Sequence, residues 1–132
     1  MRVDKKVQHV EVDWISDELR AVLKEHNIEL CAEESDSTCA MMFTCKNAAT
    51  GNPVICFIVN DIIGAGLTYT EGETIIWHEV AHIIHDATEA EADDFAIKHT
   101  SYEAWKSSVI KTDKYLGKQP SGEYAHRIVV NN

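Results

Sequence analysis

His78 and His82 stand four residues apart in a segment made broadly apolar by Ile75, Ile76, Val80, Ile83 and Ile84. On an α-helix that spacing sets both imidazoles on one face, one turn apart. Two histidines and an acid on an Ile- and Val-rich helix are costly to bury without partners. A metal ion is such a partner, since two neutral imidazoles bind one zinc ion at about 2.0–2.1 Å. Glu79 directly follows the first histidine and would project beside the ion, where it can take a proton from a water. H-E-x-x-H fixes only three positions, so the bland alternative is a pair of surface histidines flanking a glutamate. The apolar, capped helix gives the motif its weight. Thr70-Glu71-Gly72-Glu73 fits a capping box, with Thr70 as N-cap and Glu73 reaching back, and the helix is expected to run to about His85.

A catalytic zinc site usually has three protein ligands. His85 lies on the same side of the helix, but three ligands from one helical stripe rarely converge on one tetrahedral ion. The Gly and His that a metzincin needs at positions 85 and 88 are His85 and Thr88 here, which excludes that class. A second helix, from about Thr88 to His99, offers Glu89-Ala90-Glu91-Ala92-Asp93-Asp94. Glu89 and Asp93 share a face. Glu89 can bind the metal while Asp93 orients a ligating histidine through its other ring N–H. Glu91 is the competing ligand, although it is also placed to complete a capping box with Thr88. Glu91 and Asp94 fit a solvated acidic face best. The metal ligands expected are therefore His78, His82 and Glu89, with Glu91 left open.

The rest of the chain reads as an ordinary small domain. The 132 residues suit one domain, 1–132, and 45% of them are apolar. Residues 16–26 are expected to form a helix capped by Ser16, with Leu19, Val22 and Leu23 at helical spacing. Cys39 to Cys45 and Pro53 to Asn60 read as strands of a β-hairpin around Thr50-Gly51-Asn52. The second strand is apolar on nearly every residue, so both of its faces should be covered. It could pair with an extended substrate, as an exposed edge can, or serve as a plain core strand. Tyr102 to Ile110 is expected to be helical, and Tyr124 to Val130 a short strand. The fold class is α+β: a short antiparallel sheet packed on the motif helix and the acidic helix after it.

A net charge of -10 argues against nucleic acid as the main partner, because phosphate binding needs clustered Lys and Arg. No run of about 18 apolar residues suggests a membrane span, and no export signal is apparent at the N-terminus. Cys31, Cys39, Cys45 and Cys56 lack C-x-x-C spacing and are expected to be reduced thiols in a cytoplasm.

Trp77-His78-Glu79-Val80-Ala81-His82-Ile83-Ile84-His85, followed seven residues after His82 by Glu89-Ala90-Glu91-Ala92-Asp93-Asp94-Phe95-Ala96, resembles the ImmA/IrrE-type zinc metallopeptidases within the zincins. The similarity covers roughly residues 53 to 97. It implies zinc held by His78, His82 and Glu89, Glu79 as general base, and Asp93 behind a ligand. It also implies a cytoplasmic protease of bacteria, phages or mobile elements that cleaves a regulatory protein such as a helix-turn-helix repressor. The chain departs from the family after Phe95-Ala96, where it continues Ile97-Lys98-His99-Thr100, and it has no helix-turn-helix segment of its own. The alternative is a zinc-fold anti-repressor that binds its partner without cutting it. Tyr102, Tyr115, Tyr124 and His126 are candidates to stabilise an oxyanion.

Overall fold

The structure is a computed structural model that describes residues 7–9, 14–33, 42–58, 62 and 64–115. The chain divides into two compact units, Met1–Ile63 and Gly64–Asn132. Among the described residues the first unit carries a sheet and one long helix and the second three long helices, so the class is α+β.

In the first unit, α1 (Asp17–Glu25) starts at Ser16, whose hydroxyl accepts from the Leu19 N–H. Leu19 and Leu23 are buried one turn apart, as their spacing requires. Asn27 takes a left-handed φ of 55°, which ends the helix and turns the chain into β2. Strands β1 (Val7–His9), β2 (Glu29–Glu33), β3 (Met42–Lys46) and β4 (Pro53–Ile58) form one sheet in the order β1-β2-β4-β3. The β3–β4 pair is the expected hairpin. Its loop closes through the Asn47 side chain, which accepts from Ala49 and Thr50 N–H groups, and through Gly51 at φ 79°. Glu29 on β2 accepts from the Asn47 and Asn52 amides and so ties that loop to the sheet.

One expectation needs correction. The sheet is mixed rather than antiparallel, because β2 and β4 run parallel in a register that pairs Cys31 with Cys56. The segment Glu29-Leu30-Cys31-Ala32-Glu33 is short and acid-flanked, so its strand character comes from its neighbours and not from its own pattern. The parallel pairing also places β4 between β2 and β3, with both ladders occupied. It is the core strand, not a docking edge. Val54, Ile55, Cys56 and Phe57 are all buried in succession, as a strand covered on both faces requires. Residues 39–41 and 59–60 of the expected strands, and the Tyr124 to Val130 strand, lie outside the described residues.

In the second unit, α2 (Tyr69–His85), α3 (Glu89–His99) and α4 (Tyr102–Tyr115) follow one another with short connections. The capping box of α2 is shifted from the expected one. Thr68 is the N-cap and Glu71 reaches back to its N–H, one T-x-x-E match earlier than Thr70–Glu73. Both matches are locally sound, and long-range partners decide between them. Glu71 is buried, accepts from Lys111 Nζ at 2.8 Å, and is bonded by the Ser107 hydroxyl, both on α4. Glu73 is left to accept from Trp77 Nε1. Lys111 also donates to the Gly66 carbonyl, so α4 extends five residues past its expected end to make these bonds.

Burial alone would raise the Glu71 carboxyl, but hydrogen bonds from Lys111, Ser107 and Thr68 hold it below the ordinary glutamate range. A group with a depressed folded pKa contributes stability above its unfolded pKa and loses it as pH falls through the folded one. Glu71→Gln is therefore expected to cost roughly 2 kcal/mol at neutral pH by weakening a buried charge-assisted network. The difference from the unsubstituted chain should shrink below about pH 4. Urea unfolding of both proteins at pH 7 and pH 3.5 reads this out, and a difference that grows in acid contradicts it.

Among the described residues no helix is long and apolar enough to cross a membrane.

Candidate metal centre

The α2–α3 pair builds the site. Ile76, Trp77, Val80 and Ala81 give α2 a fully buried stripe, and Ala92 and Ala96 do the same for α3. Asp86 sits in the left-handed region at φ 49° and caps α2, while Thr88 caps α3 through a box completed by Glu91. The turn reverses the chain, so the two helices run antiparallel. Their side-chain contacts record this: His82 meets Glu89, His78 meets Asp93, and Thr74 bonds Thr100. Residues 74, 78 and 82 form one stripe of α2, and Glu89 and Asp93 the facing stripe of α3.

The ring nitrogens are sorted by what they touch. His82 Nδ1 lies 2.8 Å from the Ala87 carbonyl, which can only accept, so Nδ1 carries the proton. His78 Nδ1 lies 2.9 Å from Asp93 Oδ1, a carboxylate that accepts in the same way. In the neutral imidazoles both Nε2 lone pairs then point to the same place. The two Nε2 atoms are 3.1 Å apart, with Glu89 Oε1 3.1 Å from His78 Nε2 and Glu89 Oε2 3.0 Å from His82 Nε2. Three acceptors gathered this closely repel one another unless a cation or a proton joins them.

A tetrahedral zinc ion with bonds near 2.05 Å separates its ligands by about 3.3 Å, so a few tenths of an ångström of outward movement would admit one. His78, His82 and Glu89 are a group that could hold a metal ion, and among the described residues they are the one such group. The donor set fits: two nitrogens and one carboxylate, each imidazole braced from behind. Asp93, the brace of His78, is 1% exposed, whereas the Glu89 side chain is 53% exposed, so the site opens on the Glu89 side.

Electrostatics follow the same geometry. Burial alone would lower the His78 pKa, but the Asp93 hydrogen bond and the charges of Glu79, Asp93 and Glu89 raise it. Glu79 is half-buried, and burial pushes its carboxyl above the ordinary glutamate range against the opposing pull of His78 and His82.

The residues expected at the site separate cleanly. His78, His82 and Glu89 come together, and Asp93 stands behind His78. Glu91 is turned to Thr88, whose N–H it accepts at 2.8 Å. His85 is exposed and packs edge-on against Phe95, with ring centroids 5.3 Å apart. Tyr102 lies against Trp105, and Tyr115 beside Gly64. Tyr124 and His126 lie outside the described residues. The Ala87 carbonyl is a brace that sequence reasoning missed. A backbone oxygen leaves no residue-type signal, and only the helix-ending character of Asp86 hints at the turn that aims it. Trp77 stacked on His99, centroids 4.0 Å apart, is a second unanticipated link between α2 and α3.

Asp93→Asn keeps the side chain's shape and removes its charge. Zinc affinity is expected to fall about 10–100-fold, the usual loss for a residue behind a ligating histidine. Competition with a chromophoric chelator measures it, and unchanged affinity contradicts the bracing role.

No protein-family model, curated protein or solved structure matches the chain.

Proposed function

We propose that the chain is a zinc-dependent endopeptidase of zincin type acting on a regulatory protein. The observation that carries this reading is the convergence of His78 Nε2, His82 Nε2 and the Glu89 carboxylate beside Glu79. Zinc bound there supplies Lewis acidity, acidifying a water and polarising a peptide carbonyl. Glu79 takes the proton from the attacking water and returns it to the leaving amine. Asp93 and the Ala87 carbonyl keep both imidazoles in the ligating tautomer while this happens. The exposed side at Glu89 is where an extended polypeptide would enter. The resemblance of the α2 and α3 segments to ImmA/IrrE-type peptidases supports a repressor-like protein as substrate. A reducing cytoplasm suits Cys31, Cys45 and Cys56 as thiols outside any disulfide.

The test is cleavage of a proteome-derived peptide library, mapped by mass spectrometry. Cleavage should disappear with a chelator and return with zinc. Cleavage indifferent to the chelator contradicts the proposal.

A further inference from the structure

We propose that Cys45 and Cys56 are a hydroperoxide-sensitive dithiol that closes to a disulfide across the β3–β4 hairpin. The two sulfurs lie 3.6 Å apart. In the ladder Cys45 faces Val54 and Phe43 faces Cys56, so the two cysteines are diagonal neighbours on one face of the sheet. Diagonal residues of a flat ladder sit about 7–8 Å apart at Cα, past the roughly 7 Å beyond which a bridge needs some backbone movement. Here the side chains have already converged, and a disulfide at about 2.05 Å asks the sulfurs to close by roughly 1.6 Å.

The pair is asymmetric. Cys56 is fully buried and Cys45 only partly, so Cys45 is the thiol that a small oxidant reaches first. Cys31, the register partner of Cys56 on β2, is buried, and burial together with the nearby Glu29 pushes its thiol up to about 11. Cys56 is the thiol set directly against Cys45 on the same face of the hairpin, and so is the one placed to resolve the reaction. The three thiols do not gather as one ion site, since among the described residues only His78, His82 and Glu89 meet that spacing.

The chemistry balances with a hydroperoxide as oxidant. The Cys45 thiolate attacks the O–O bond; an S–O bond forms, the O–O bond breaks, and the leaving oxygen departs as water after taking a proton. The Cys56 sulfur then attacks the sulfenic sulfur of Cys45. The S–S bond forms, the S–O bond breaks, and the hydroxyl leaves with the Cys56 proton as water. Two thiols lose two protons and two electrons, and hydrogen peroxide is reduced to two waters. The product ties edge strand β3 to interior strand β4 and holds their register.

The reduced full chain, treated with a few equivalents of hydrogen peroxide, is examined by intact mass and non-reducing peptide mapping. The expected result is a loss of two hydrogens, one linked peptide pair joining Cys45 to Cys56, slower amide exchange over β3, and full reversal by dithiothreitol. Cys45→Ser should abolish the linkage, and Cys31→Ser should leave it. A stable sulfenic or sulfinic acid at Cys45 without linkage overturns the proposal. So does a link through Cys31 or Cys39, or one between two chains. Mapping of the unsubstituted chain decides the question even if a variant folds poorly, and it is independent of whether the metal centre is catalytic.

Discussion

Replacing Glu79 by Gln is expected to lower peptide cleavage by about 10²–10⁴-fold, the span that a positioned general base contributes. The substitution removes one proton acceptor and nearly nothing else. Glutamine has glutamate's shape, and Glu79 is not in the group of metal-gathering side chains. Glutamine at position 79 loses the pull of His78 and His82 on the carboxylate but keeps a strong helix-forming side chain, so the helix should persist. Zinc content and zinc affinity should stay close to those of the unsubstituted protein. This pairing of results separates two accounts of the same site. If a biological effect on a partner survives Glu79→Gln with cleavage abolished, the chain acts by binding. If cleavage itself survives, the assignment of Glu79 is wrong.

The second large effect falls on the acidic helix. Glu89→Ala is expected to weaken zinc binding by more than the roughly 10–100-fold typical of residues behind a ligand, because under the proposed function it removes a ligand itself. Glu91→Ala, two residues on, should leave zinc affinity unchanged. Its carboxylate caps Thr88 and contributes only to the start of α3. The comparison is internally controlled: both variants remove one exposed glutamate from the same helix turn, so a general charge effect would act on both alike. Chelator competition on the two proteins gives the ratio directly. Equal affinities would remove Glu89 from the site.

Much of the second unit could be read from the chain because its determinants are local. His78 and His82 share a face by helix geometry alone, and Glu89 and Asp93 by the same rule on the next helix. Thr88–Glu91 announces where that helix starts. What local pattern could not supply was the choice between equivalent local answers. Thr68–Glu71 and Thr70–Glu73 are the same motif two residues apart, and the selection comes from Lys111, 40 residues downstream of Glu71. The same distant pairing explains why α4 outlasts its apolar pattern and continues through Lys111 to Tyr115. In the first unit the hairpin is local, signalled by its turn residues, whereas β2 pairs with a strand more than 20 residues away. A parallel partner of that kind leaves no mark in a five-residue segment bounded by glutamates. Likewise, nothing in the pattern brings Cys45 and Cys56 together until the hairpin register is known.

The account depends most on the metal. Purified full-length protein, stripped with a chelator and titrated with zinc by calorimetry, should bind one equivalent, and His78→Ala and His82→Ala should each lose that binding while remaining helical by circular dichroism. Absence of saturable zinc binding by the unsubstituted chain, or binding retained by a folded His82→Ala protein, would contradict it.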